Sequence, residues 1–318
     1  MDSGDMLGLI RILLFIILIL LAGFTSNAQA LIKTSFLFYL SDFNGLLGYN
    51  WPSLAADRVR DEIFVVDRRK GDIAIFNQMG MEIHRFGDDG SLGMVKQVDV
   101  DEAGTIYVLS ASHSAQRLIR CNFRGEPQSE ITLSAFPQEF GGFLPEYMRY
   151  QDNRLYLADS RDLKIAVFDM KGTFQKGYDV AALIDLPEEK RIEIDFGGFN
   201  LDPEGNMFFS LPVLFAVYRL SPEGEIKGFG RSGSAPGRFG VVGGVACDAK
   251  GHIYVADRLK CVVLVFNRNF EFLMEFGYRG PKPDNLIVPN QLAVDDNGRL
   301  YVAQLGGRGV SVFKIFGG

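Results

Sequence analysis

Gly243-Gly244-Val245-Ala246-Cys247-Asp248-Ala249-Lys250-Gly251-His252-Ile253-Tyr254-Val255-Ala256-Asp257, then Cys261-Val262-Val263-Leu264-Val265-Phe266, then Phe270-Glu271-Phe272-Leu273-Met274-Glu275-Phe276-Gly277, reads as four short strands. Each run is rich in β-branched and aromatic residues, and Gly, Asp and Asn bound it at turns. The pattern recurs with a period of about 45 residues from near Pro52 to the C-terminus, and such a period takes precedence over any local assignment. Its second strand appears in six copies: Ile63-Phe64-Val65-Val66-Asp67, Ile106-Tyr107-Val108, Leu155-Tyr156-Leu157-Ala158-Asp159, Met207-Phe208-Phe209, Ile253-Tyr254-Val255-Ala256-Asp257 and Leu300-Tyr301-Val302-Ala303. Before it stands an Asp-x-x-Gly turn, as in Asp101 to Gly104, Asp202 to Gly205, Asp248 to Gly251 and Asp295 to Gly298. The Asp side chain accepts turn N–H groups, and Gly supplies the positive φ that closes the hairpin.

In the fifth unit Phe229-Gly230, Gly233, Pro236-Gly237-Arg238-Phe239, Val245-Ala246, Asp248, Gly251, Ile253-Tyr254-Val255-Ala256-Asp257 and Val265-Phe266 together resemble the NHL repeat. The resemblance is strong there, good in units one, three and six, and degenerate in units two and four, where Ser110 and Ser210 stand near the closing Asp position. It implies an all-β, six-bladed β-propeller over residues 31–318. A sandwich or β-helix also yields many short strands, but neither suits a four-strand unit repeated six times. The last unit stops after its third strand, Val310-Ser311-Val312-Phe313. Ser35-Phe36-Leu37-Phe38-Tyr39-Leu40 mirrors the missing fourth, so the N-terminal strand is expected to close the last blade and remove an open edge.

Residues 12–24 form an unbroken apolar run, preceded by Arg11 and followed by small residues up to Ala30. This predicts a signal peptide over residues 1–30, with an uncleaved anchor as the alternative, and hence an exported, periplasmic, extracellular or cell-surface protein. A membrane association would run only through that segment. The 318 residues carry a formal net charge of −6, which argues against nucleic acid as a partner. Cys121, Cys247 and Cys261 are read as buried free thiols, since the repeat places the last two on strands separated by a third. No haem or zinc-ligand spacing is present, and no cofactor or metal is expected.

The resemblance further implies that the loops between second and third strands share one face with the connections between blades. Arg68, Arg69, Lys70, Arg161, Lys164, Arg258, Lys260 and Arg308 fall in these loops, whereas Asp101, Glu102, Asp202, Glu204, Asp295 and Asp296 fall in the first turns opposite. A basic face steers an acidic partner, unless Asp67, Asp159 and Asp257 pair with these cations in solvated turns. Lys96, Gln97, Glu146, Tyr147, Asn290 and Gln291, with Ser53, Gly197, Gly198, Gly243 and Gly244, are expected at the channel mouth. His84, His113 and His252 fall on three different parts of the repeat and do not converge. Two long connections, residues 134–145 with Phe136, Phe140 and Phe143, and residues 175–195, either offer apolar contacts or cap blade edges. The expected function is a non-enzymatic scaffold holding a protein or extended ligand on the basic face through Arg68, Arg69, Lys70, Lys96, Glu146, Arg161, Lys164, Arg258, Lys260, Asn290 and Gln291. The alternative is a lyase or hydrolase acting at the channel mouth.

Overall fold

The computed structural model describes residues 32–112 and 115–317, of which Ile32–Phe316 form one compact unit. The expected leader or anchor over residues 1–30, and His113, lie outside the described residues. β1 (Lys33–Tyr39) is followed by a short hairpin, β2 (Ser41–Asp42) and β3 (Gly45–Leu46). Blade 1 is β4 (Ser53–Asp57), β5 (Glu62–Val66), β6 (Ile73–Phe76) and β7 (Glu82–Phe86), and blade 2 is β8 (Met94–Val100), β9 (Ile106–Ser112), β10 (Ala115–Cys121) and β11 (Pro127–Glu130). β12 (Tyr147–Gln151), β13 (Arg154–Asp159), β14 (Lys164–Asp169) and β15 (Phe174–Asp179) make blade 3, and β16 (Gly198–Leu201), β17 (Met207–Leu211), β18 (Ala216–Leu220) and β19 (Ile226–Phe229) make blade 4. Blade 5 is β20 (Val242–Cys247), β21 (Ile253–Asp257), β22 (Val262–Phe266) and β23 (Phe272–Gly277), and the last three strands are β24 (Leu292–Val294), β25 (Arg299–Ala303) and β26 (Val310–Phe316).

Five sheets run in chain order, and the sixth has the order β1-β26-β25-β24, so the N-terminal strand completes the last blade as expected. Its antiparallel register sets Ser35 against Lys314, Phe36 against Phe313 and Phe38 against Val312. The first strands neighbour one another in the cycle β4-β8-β12-β16-β20-β24-β4. A cluster of buried side chains lies between every adjacent pair of blades, including the sixth and first. The fold is therefore an all-β, six-bladed propeller. Packing on both faces explains why second and third strands are nearly unbroken apolar runs: β17, β21 and β22 are buried throughout. Fourth strands face neighbours only in part, and β11 is exposed along its whole length, with Pro127 at the edge where no N–H is needed.

The turns work as their residues predict. Gly104, Gly205, Gly251 and Gly298 donate back to the Asp carbonyl three residues earlier at 3.0–3.1 Å. The Oδ2 atoms of Asp101, Asp248 and Asp295 accept the Tyr107, Tyr254 and Tyr301 hydroxyls at 3.0, 2.8 and 3.2 Å. One carboxylate thus ties the hairpin to the strand it starts. Cys121, Cys247 and Cys261 are buried and free, with β21 between the last two.

Candidate functional site

The loops after the second strands are organised by buried carboxylates rather than by surface ion pairs. Asp257 is fully buried and accepts the N–H groups of Leu259 at 3.1 Å, Lys260 at 2.9 Å, Val241 at 3.2 Å and Gly240 at 2.5 Å. Asp159 accepts those of Arg161 at 3.0 Å and Leu144 at 2.7 Å. Each carboxylate closes its own loop and clasps the connection arriving from the previous blade. Blade 6 does the same with Gln304, whose Oε1 accepts Ile287 N–H at 2.8 Å. Pairing of Asp159 and Asp257 with neighbouring cations is corrected on this point, because backbone N–H groups occupy both carboxylates. Asp67 alone lies near a loop cation, 3.9 Å from the Arg69 guanidinium.

The loop cations divide into committed and uncommitted groups. Lys164 donates to the Glu139 carbonyl and lies over the Phe140 ring. Lys260, 10% exposed, pairs with Glu275 at 2.7 Å and donates to the carbonyls of Ala235 and Arg238. Arg308 donates to the carbonyls of Gly280, Lys282 and Asn285. These three hold loops in place. Arg161 is exposed, 3.5 Å from Asp162, and donates to Gly142. Arg68, Arg69 and Lys70 are exposed, and the side chains of Arg68 and Lys70 make no hydrogen bond or ion pair among the described residues. The opposite face is less uniformly acidic than expected, because the first turn of blade 1 carries Arg58 and Arg60, paired with Asp296 at 3.5 Å and Asp57 at 2.8 Å.

At the channel mouth beside these loops Lys96 lies 4.0 Å from Glu146. Tyr147 donates to the Phe196 carbonyl at 2.9 Å; burial pushes its phenol up to about 12, against the pull of nearby Arg68 and Arg258. Arg258 donates to Asn290 Oδ1 at 2.9 Å and lies over the Trp51 ring at 5.6 Å. Trp51 in turn donates to the Val288 carbonyl at 2.9 Å. Asn290 and Gln291 are buried, and Gln97 accepts the Ser53 hydroxyl at 2.7 Å. Below them the first strands approach too closely for side chains. A Cβ on Gly244 would lie 2.4 Å from the Asn290 carbonyl oxygen, and one on Gly198 2.5 Å from Gly244 Cα. The structure thus brings Lys96, Glu146, Arg258 and Asn290 to one mouth, while Asn290 and Gln291 are wall rather than surface.

The axial cavity, about 300 Å³, opens at the other end of the first strands. Residues paired with Phe64, Tyr107, Tyr156, Phe208, Tyr254 and Tyr301 form one ring: Ala55, Asp99, Arg149, Asn200, Ala246 and Ala293. Sequence reasoning missed Asp99, Arg149 and Asn200. The available signal was three polar residues in consecutive units where the other units have alanine.

Phe136, Phe140, Phe143, Phe168 and Phe174 pack on one another, so the first long connection caps blade 3. Residues 175–179 belong to β15, and the second connection begins at a helical turn, Val180–Leu183, whose Val180 and Ala181 are buried. His84, on β7, bonds the Arg124 carbonyl at 2.9 Å, and His252 bonds Asp248 at 2.8 Å in a first turn. Among the described residues no group of three or more His, Cys, Asp or Glu side chains is placed to hold a metal ion.

No protein-family model and no curated protein matches the sequence. Solved structures do match its fold. A structural genomics protein of unknown function from Bacteroides thetaiotaomicron aligns with a TM-score of 0.63 at 13% identity, over 91% of this chain and 77% of that one. A gluconolactonase from Xanthomonas campestris aligns at 0.59 and 12%, over 92% and 93%. A catalytically inactive virginiamycin B lyase from Staphylococcus aureus, with quinupristin, aligns at 0.58 and 12%, over 89% and 99%. At such identities the likeness is one of fold.

Proposed function

We propose that this chain is an exported interaction scaffold of NHL type that holds an acidic segment of a protein partner on the face carrying the second-to-third-strand loops. One observation carries the reading. In the corresponding loops of blades 3, 5 and 6, Lys164, Lys260 and Arg308 are bonded to carbonyls or a carboxylate, whereas Arg68 and Lys70 of blade 1 project into solvent. Lys96 and Arg258 stand at the same mouth, Lys96 beside Glu146 and Arg258 bonded to Asn290. Uncommitted cations on a rigid rim raise association rates with an acidic partner and give it an orientation. The N-terminal apolar run is the reason for placing that partner outside the cytoplasm. A labelled polyglutamate peptide should bind, more weakly as salt rises, and the pair Arg68→Glu and Lys70→Glu should cost about tenfold or more in affinity. Unchanged affinity in a folded double variant would rule the reading out.

A second reading, a lyase or hydrolase acting at that mouth, has one feature in its favour. Trp51 and Val288, joined by a hydrogen bond beside Arg258, both sit in the left-handed region, with φ of 49° and 47°. For a β-branched residue that costs on the order of 1–3 kcal/mol, and such strain clusters at functional sites. Turnover of lactone or ester substrates, lost in Arg258→Met, separates this reading from a scaffold.

A further inference from the structure

The axial cavity faces away from the basic loops and is lined by two guanidinium groups, Arg149 and Arg58. Arg149 is 8% exposed, yet no carboxylate lies within ion-pair distance of it among the described residues. Its Nε donates to Asn200 Oδ1 at 3.3 Å, and its Nη1 to the Met148 carbonyl at 3.0 Å and Gln97 Oε1 at 3.4 Å. All three acceptors are neutral, two contacts are long, and Nη2 bonds no described residue. Asp99 lines the same cavity, but its oxygens accept the N–H groups of Val100 at 3.0 Å and Tyr150 at 2.8 Å. Burial dominates both groups, lowering the Arg149 pKa and raising that of Asp99, and their mutual attraction comes second. Arg58 stands at the rim; its charge acts on Arg149 and Asp99, and its ion pair with Asp296 is solvated.

A buried guanidinium whose nearest carboxylate, Asp99, stands beyond ion-pair distance and is turned to backbone N–H groups is incompletely compensated, and a second cation facing it adds repulsion. One carboxylate between the two relieves both, since its lone pairs suit the planar donor fork. We propose that this cavity binds a small organic carboxylate, held by Arg149 at its floor and Arg58 at its rim. The space admits a molecule a few heavy atoms across. Glu102 at the rim, bonded to the Tyr150 hydroxyl at 3.1 Å, and neighbouring Asp101 favour a ligand whose other end donates hydrogen bonds, such as a hydroxy or amino acid.

The probes are acetate, L-lactate and L-alanine, titrated calorimetrically into the whole protein against sodium chloride at matched ionic strength. At least one should bind saturably and raise the melting temperature as it fills the site. Arg58→Gln, at an exposed position, should weaken that binding about tenfold or more. Arg149→Gln should abolish it. If the latter variant does not fold, Arg58→Gln alone decides. The Arg68→Glu and Lys70→Glu pair should leave it unchanged, which separates this site from the basic face. No binding above the chloride control by any of the three, or equal binding by Arg58→Gln, would overturn the proposal.

Discussion

A chain lacking residues 33–40 should fail to yield a folded monomer. β1 pairs with β26 along its length, so its loss exposes a fresh edge on β26, the third strand of the last blade. Phe36 packs edge-on against Phe313 at 5.7 Å, and Leu40 is fully buried with Leu47 and Val310 between blades 6 and 1. Burying Leu40 contributes roughly 1.5–3 kcal/mol, the half-buried Phe36 and Phe38 each add part of that, and each strand hydrogen bond adds about 1 kcal/mol. The total is of the order of the whole stability of a domain, about 5–15 kcal/mol. Far-ultraviolet circular dichroism and size-exclusion chromatography should show aggregated or unfolded material. A soluble monomer melting like the parent would refute the closure.

Asp257→Ala should lower the unfolding free energy by about 3–5 kcal/mol, an unusually large loss for a polar residue in a loop. Four backbone N–H groups converge on this buried carboxylate, two of its own loop and two of the connection from blade 4. Each would be left without an acceptor at about 1–3 kcal/mol, less whatever water entering the gap restores. In blade 2 the corresponding position is Ser110, whose buried hydroxyl has no partner, so Ser110→Ala should change stability by under about 1 kcal/mol. Urea denaturation of the two variants checks both values, and equal losses would contradict the proposed role of the aspartate.

The fold was legible because the repeat states each decision locally. Asp248 to Gly251 fixes a turn, Ile253 to Asp257 an inner strand, and the absent fourth strand of the last unit points to Phe36 and Phe38. Outer strands were harder to place. Gln175 to Asp179 carries two adjacent exposed residues, Gln175 and Lys176, and reads as loop, although β14 pairs with it. The site was less legible. Arg68 and Arg258, like Lys70 and Lys260, occupy equivalent loop positions and look alike in sequence, but whether a cation reaches an acceptor depends on the path of a connection tens of residues away. Arg149 escaped attention because burial of an arginine follows from the neighbouring blades meeting at the axis, not from its own strand.

The account rests on a ring shut by pairing of the first described strand with the last. Cysteines introduced as Ser35→Cys and Lys314→Cys face each other across that pair, at a separation typical of antiparallel partners and within reach of a disulfide. The native thiols are buried and should not compete. Mild oxidation of the folded protein should link the new pair within one molecule, seen as faster migration on a non-reducing gel and loss of both titratable thiols. Free thiols in the native protein, or links only between molecules, would contradict the closed propeller.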